Sequence, residues 1–389
     1  MTNVGPKVGI DKISFYVPEH YVALSVLAEE QGIDPDKFSR GIGQNKIAMC
    51  MHDEDVVTLA AEAAAKVIDG EDVNAIDTVL FATETGIDQS KAAAVYVHEL
   101  LKLPRKCRAV ELKHACYSGT AALQLACGHV TRKPDRKVLV VASDVSRYDL
   151  DSPAEATQGC GAVAMLVSAD PKLLEIEPAS GCYSEDVMDF WRPNYRKTPL
   201  VDGKFSTMKY LSALSGAWED YRDNEGRAFN EIAQFCYHLP FTRMGAKAHR
   251  QLASMNKAQN DPGHTEPGMI YNREVGNCYA AALYVSLTSA LENTEADLTG
   301  HAVGLFSYGS GAVAEYFAAK VLPGYKERLF REHHQKLLED RTALTYAQYR
   351  DVWHAPDPQD GLSHIMPNAA RGRFRLSHID EHKRHYEAA

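Results

Sequence analysis

Nucleophilic and acid–base chemistry calls for a reactive sulfur to attack, a carboxylate to act as general base and a histidine to hold or pass a proton. Cys116, Glu84 and His238 are the residues of this chain that suit those tasks. Cys116 opens the stretch Cys116-Tyr117-Ser118-Gly119-Thr120, which leads into small residues predicted as a helix over about 116–130. A thiol at a helix start lies at the positive end of the backbone dipole, where its pKa falls from ~8.5 and free N–H groups can hold an oxyanion. The competing reading is a small buried hydrophobe, which the other seven cysteines take. Glu84 ends an apolar strand predicted over 78–82; beside apolar walls its pKa would rise and suit a general base, and otherwise it is a solvated strand-end carboxylate. His238 ends a second strand, 232–237, and reads either as a core histidine or as part of a site.

The neighbours of His238 favour a site. Pro240 suits the first turn of a helix predicted over 241–252, and Arg243 and Lys247 follow at i, i+4 on one face, a basic surface for the phosphates of an anionic ligand. Ser310 lies in Ser307-Tyr308-Gly309-Ser310-Gly311, a turn after strand 302–307 that offers N–H groups to an anion or a thioester oxygen. Residues 312–318 after it read as a helix. The turn lacks the Gly-Lys-Ser/Thr of a Walker loop, and Gly41-Ile42-Gly43 lacks the third glycine of a dinucleotide fingerprint. His378, His382 and His385 share i, i+4, i+7 spacing among charged neighbours, which predicts an exposed polar helix and no metal site.

The elements that must carry these residues alternate between helical and extended, an α/β pattern. Asp53 to Asp55 starts a helix with Val56, Leu59, Ala60, Ala63, Ala64 and Val67 on one stripe, and further strands are expected at 107–112, 137–142 and 161–167. A helix is expected at 92–101 and a small-residue helix at 276–291. Residues 177–224 break the rhythm with aromatic and turn residues and read as an insertion over a site rather than core. The full chain has 389 residues, 45% of them hydrophobic, and a net charge of −10, which suits an ordinary globular core and argues against sequence-independent nucleic-acid binding. No apolar run reaches the ~18 residues of a membrane span, the N-terminus lacks a signal-peptide core, and eight scattered cysteines without CxxC pairs read as free thiols in a reducing cytoplasm.

The two halves can be overlaid. The strand ending at Glu84 lies over the strand ending at His238, and Phe81 over Phe235. The turn at Cys116 lies over Asn272-Arg273-Glu274-Val275-Gly276-Asn277, with Cys116 on Asn277. A pseudo-twofold axis would then gather Glu84, Cys116, His238 and Asn277 at the C-terminal ends of strands, where open α/β sheets place ligands.

These stretches, together with Phe38-Ser39-Arg40-Gly41-Ile42-Gly43-Gln44, Asp189-Phe190-Trp191-Arg192-Pro193 and Val201-Asp202-Gly203, resemble the 3-hydroxy-3-methylglutaryl-CoA (HMG-CoA) synthase family of the thiolase superfamily, in its bacterial mevalonate-pathway form. The likeness runs from about residue 9 to 336. It implies a duplicated α-β-α-β-α five-layer sandwich, usually a homodimer, with an N-terminal half at 1–176, an inserted segment at 177–226, a C-terminal half at 227–323 and a helical extension at 324–389. It implies condensation of acetyl-CoA with acetoacetyl-CoA and water, the coenzyme A thioesters being substrates and no cofactor being required. In that scheme Cys116 carries the acetyl group, Glu84 is the base, His238 acts on the ketone oxygen, Ser310 and Cys116 supply oxyanion N–H groups, and Asn277 holds the acetoacetyl group. Tyr148, Thr157 and Phe190 match the acyl pocket, and Arg243 and Lys247 the helix that meets CoA phosphate. Arg243 stands where many relatives carry Lys, and Asn277-Cys278-Tyr279-Ala280-Ala281 departs from the usual Asn-x-Tyr-Thr pattern. Two rivals stay open: a polyketide β-branching homologue that takes acetyl from an acyl carrier protein, against which Thr198 to Gly203 speaks, and a non-catalytic CoA-binding scaffold.

Overall fold

Runs of β-branched and aromatic residues form the strands of a central sheet. In the computed structural model, which describes residues 7–388, these are β1 (Val8–Tyr16), β2 (Ile76–Ala82), β3 (Arg108–Leu112), β4 (Lys137–Val145), β5 (Cys160–Ala169), β6 (Leu174–Ser184), β7 (Ile232–Tyr237), β8 (Ala302–Gly309) and β9 (Val313–Val321). Their order is β7-β8-β9-β6-β1-β5-β4-β2-β3. The sheet is duplicated. β2 runs parallel to β4, β4 antiparallel to β5, and β5 antiparallel to β1; β7, β8, β9 and β6 repeat that sequence of pairings. The repeats meet at a short antiparallel seam, Gly9↔Glu175 and Ile10↔Leu174. Gly9 is needed there, because a Cβ would stand 2.0 Å from the Leu174 carbonyl oxygen.

Helices α1 (Val56–Ile68) and α2 (Ala93–Leu100) cover the first half of the sheet, and α4 (Gly203–Asp223) and α5 (Met244–Met255) the second. Between the halves lie α3 (Ser118–Arg132), packed on β4 and β5, and α6 (Ala282–Asn293), packed on β7 and β8. Small residues let these two helices approach: the Gly119 Cα faces the Ala280 carbonyl, and the Thr120 hydroxyl meets the Tyr284 hydroxyl at 2.8 Å. The result is the five-layer, thiolase-like arrangement.

Four expectations are corrected. Residues 312–318 are strand β9, paired with β8 from Gly309↔Val313 onward; burial on both faces hides the alternation that marks a strand, and the alanines mimic a helix. The small-residue helix begins at Ala282, not near 276. The 177–224 segment is largely core: β6 completes the sheet, and α4 buries Tyr210, Leu214, Trp218 and Tyr221 against the second half, leaving only the connection between them over the site. The tail histidines are not helical. They sit on a hairpin of β10 (Phe374–Asp380) and β11 (Lys383–Ala388), turned by Glu381 and His382 at φ 48 and 64, with His378 and His385 stacked across it at 4.2 Å.

Candidate active site

The cluster is built from the strand ends. Beyond β2 the chain turns around the buried carboxylate of Asp144 on β4. Asp144 Oδ1 accepts from the Thr83 hydroxyl (2.7 Å), the Glu84 N–H (2.9 Å), the Thr85 N–H (3.0 Å) and the Thr85 hydroxyl (2.6 Å). Its Oδ2 accepts from the Ala280 N–H of the other half at 3.0 Å. So held, Glu84 meets Cys116, whose Sγ donates to Oε1 at 3.2 Å. Burial pushes the Glu84 carboxyl up to about 8, with the Asp144 charge adding to it and Arg192 and the Cys116 hydrogen bond opposing it. The Cys116 thiol is also pushed well above its ordinary value, by burial and then by Glu84. This overturns the expected lowering by the helix dipole: α3 starts two residues beyond Cys116, and desolvation beside a carboxylate outweighs the dipole.

From the second half, His238 donates its N–H to the Phe306 carbonyl at 2.8 Å and accepts the Tyr210 hydroxyl at its own carbonyl, also at 2.8 Å. Burial lowers its imidazole to about 3, so the ring is neutral at neutral pH, and its Nδ1 has no partner among the described residues. Asn277 donates its N–H to the Thr157 carbonyl at 3.1 Å, and its side-chain oxygen accepts the Tyr279 N–H at 2.9 Å. Ser310 lies in the β8–β9 turn, which Asp189 fixes: Oδ1 accepts from the Gly311 N–H at 2.9 Å, and Oδ2 from the Tyr308 hydroxyl at 2.8 Å and the Ser206 hydroxyl at 2.9 Å.

A cavity of about 500 Å³ joins these residues, with Cys116, His238, Asn277, Ser310, Tyr148, Thr157 and Phe190 all on its wall. Tyr148, Phe190 and Tyr279 close one end edge to face, with ring centroids 5.9–6.5 Å apart. Glu84 lines instead a larger polar cavity of about 860 Å³ on the other side, with Arg192; Phe190 borders both. Arg243 and Lys247 are outside the cavity wall. They are exposed, Arg243 at the N-cap of α5 and Lys247 in its first turn, near Phe241, which does line it; Lys247 Nζ lies 4.9 Å from the Phe241 ring centroid, and the Arg243 side chain donates to the Arg40 carbonyl. Sequence reasoning gave no role to Asp144, Asp189, Arg192 or Tyr279. The legible signal for Asp144 was a lone acid closely following the apolar run Val138 to Ala142.

The overlay of the halves slips by three residues. Ala115 and Tyr279 share φ 42, each three residues before its helix, so Ala280 rather than Asn277 is the counterpart of Cys116.

A thiol, a carboxylate and a neutral imidazole converging where two α/β repeats meet define a thiolase-like condensing enzyme. The family models for the N-terminal and C-terminal parts of hydroxymethylglutaryl-coenzyme A synthase match residues 5–172 and 174–388. The chain belongs to the HMG-CoA synthase family, acyltransferases that condense acetyl-CoA with acetoacetyl-CoA. It is 44% identical to the hydroxymethylglutaryl-CoA synthase of Enterococcus faecalis over 89% of this chain and 91% of that one. A solved HMG-CoA synthase in complex with CoA superposes with a TM-score of 0.94 at 39% identity, covering 98% of this chain and 100% of that one. The polyketide 3-hydroxy-3-methylglutaryl-ACP synthase PksG of Bacillus subtilis is 32% identical over 88% of this chain and 86% of its own length.

Proposed function

We propose that the chain makes HMG-CoA from acetyl-CoA, acetoacetyl-CoA and water through an acetyl-Cys116 intermediate, with Glu84 and His238 completing the chemistry. The observation that carries this reading is the 3.2 Å contact between Cys116 Sγ and Glu84 Oε1 beside the cavity that holds His238 and Asn277. Cys116 sulfur attacks the acetyl thioester carbon; the carbon–sulfur bond to CoA breaks, and CoA leaves as the thiol. Glu84 takes a proton from the acetyl methyl, and the resulting carbanion adds to the ketone carbon of acetoacetyl-CoA. His238, being neutral, donates a hydrogen bond and then its ring proton to the ketone oxygen, and the ring regains a proton from solvent water. Water finally cleaves the thioester at Cys116, restoring the thiol. A carboxyl near 8 is well matched to a base working close to neutral pH. Acetylation also removes the thiol donor that lowers the Glu84 pKa, so its basicity rises when the methyl group arrives.

Asn277 and Ser310 bind acyl oxygens, Tyr148, Thr157 and Phe190 shape the acyl pocket, and Arg243 and Lys247 meet CoA phosphate at its mouth. Free CoA is the favoured acetyl carrier because the 44% relative and the CoA-bound structure are both HMG-CoA synthases. The carrier-protein reading draws on the Curacin-pathway HMG synthase solved with acetyl donor-ACP, 31% identical with a TM-score of 0.92 over 98% of this chain and 100% of that one. Mass spectrometry after incubation with acetyl-CoA tests the choice: an acetyl group on Cys116 that chases into HMG-CoA on adding acetoacetyl-CoA supports the reading, and acylation by acetyl-carrier protein alone refutes it.

A homodimer through the free edge of the sheet fits as well. β3 ends the sheet, Val110 on it is 44% exposed, and Leu125 on α3 is 56% exposed. Eight unpaired cysteines accord with a cytoplasmic setting.

A further inference from the structure

The connection between β6 and α4 touches each part of the site. Asp189 fixes the Ser310 turn, Phe190 walls the acyl end, and Arg192 reaches across to Glu84. The Arg192 guanidinium donates to the Glu84 carbonyl oxygen, and its Nη2 lies 3.8 Å from carboxylate Oε2; the two side chains are 17% and 6% exposed. Asp144 is on the far side of Glu84, its Oδ1 accepting the Glu84 N–H. The groups that face Glu84 are Asp144 from β4, Cys116 from the turn before α3, the phenols of Tyr148 and Tyr279, and Arg192 from the connection. Arg192 is the cation among them.

We propose that Arg192 is a positioning residue for the base: it grips the Glu84 backbone and carboxylate together and offsets Asp144, so that Glu84 can carry a charge in a buried site. The inference rests on the reading of Glu84 as the base. Two carboxylates side by side with no cation resist ionising together. The planar fork of arginine reaches a carbonyl and a carboxylate from one side chain, whereas lysine supplies the charge at a single point. Charge and geometry can therefore be separated by substitution.

The test uses the full-length enzyme with R192Q and R192K, following acetyl-Cys116 by mass spectrometry and condensation from about pH 6 to 10. R192Q is expected to acetylate Cys116 normally and to lose most of its condensation at pH 7. Its rising pH limb should move up by roughly 1–3 units, with rate recovered at high pH. R192K should return the limb toward wild type with a lowered kcat and unchanged KM. An R192Q limb in the wild-type position overturns the proposal, as does an equal loss of acetylation and condensation, which marks Arg192 as a structural tie only. Should R192Q not fold, R192K decides alone: a lowered kcat at unchanged KM supports it, and an unchanged kcat overturns it. E84A separates the two layers. Near-normal turnover in E84A overturns the base assignment itself, whereas an inactive E84A beside an unmoved R192Q limb overturns the role of Arg192 alone.

Discussion

Cys116 Sγ and Glu84 Oε1 lie 3.2 Å apart, and the fold holds both groups toward their protonated forms. In the proposed mechanism the nucleophile and the base that share this hydrogen bond act in turn: the thiol loses its proton for acylation, and the carboxylate comes into play after the sulfur is capped. Glu84→Gln keeps shape and removes the base. It should still form acetyl-Cys116 while HMG-CoA production falls by roughly 10²–10⁴-fold. Quantifying the acetyl-enzyme by mass spectrometry alongside steady-state turnover checks this, and proportional loss of both signals would contradict it.

The same substitution should stabilise the protein at alkaline pH. The folded-state pKa of Glu84, about 8, lies above the ordinary carboxylate value, so the folded state binds its proton more tightly than the unfolded chain does. Stability from this group is full below pH ~4 and declines as pH rises toward 8. Glu84→Gln escapes the decline. Its Tm should match wild type near pH 5 and exceed it at pH 9, by up to a few kcal/mol in free energy. Parallel scanning calorimetry at the two pH values reads the difference.

Asp144→Asn tests the other flank of Glu84. The amide nitrogen must face either the Ala280 N–H or the four donors now held by Oδ1, so one site loses its acceptor. A destabilisation of about 1–3 kcal/mol in urea is expected. Removing the negative charge also takes away one cause of the raised Glu84 pKa, so the rising limb of the condensation profile should move to lower pH, opposite to the shift for R192Q.

Much of this candidate site was legible because each residue proposed to react stands at the edge of a strong local pattern. Glu84 and His238 end apolar strands, and Cys116 precedes a run of small residues, so type and context coincide. What the sequence hid depends on long-range pairing. Asp144, Asp189 and Arg192 act on backbone and side-chain atoms 59 to 136 positions away, and nothing local marks a buried carboxylate as a bracket between two halves. The three-residue slip between Asn277 and Ala280 has the same origin: the second half spends three more residues reaching its helix, which shows only in the shared positive φ of Ala115 and Tyr279. Strand β9 was missed because alanine carries little periodicity when both faces are buried.

The exposed β3 edge yields a prediction about assembly. Val110→Glu places a charge where a second copy would pair, at a position already 44% exposed in the single chain, so the fold should be unaffected. Light scattering should show the variant shifted from dimer to monomer at micromolar concentration; an unchanged mass would place the interface elsewhere.

The C-terminal hairpin is bound to the body by the two carboxylates before α1. Asp53 Oδ2 accepts the N–H groups of Ala369 and Ala370 at 2.9 and 3.0 Å and lies 3.6 Å from Arg375 Nε, and Asp53 itself is fully buried. Asp55 caps α1 with Oδ1, accepting from the Val57 N–H at 2.8 Å, while its Oδ2 accepts from Arg384 at 3.1 Å and the Tyr386 hydroxyl at 2.5 Å. The chain thus ties its last strands to the start of its first long helix, and the hairpin forms one wall of the polar cavity behind Glu84 through Leu376, Ile379 and Arg384. Asp53→Ala leaves the Ala369 and Ala370 N–H groups without their buried acceptor, while Arg375 keeps Glu387 at 2.8 Å. The expected cost is about 1–3 kcal/mol, concentrated at the tail. Limited proteolysis should then release a fragment ending near residue 366 well before the body is cut, with Cys116 acetylation retained. Simultaneous loss of tail and body would instead show that the hairpin and the sandwich unfold as one unit.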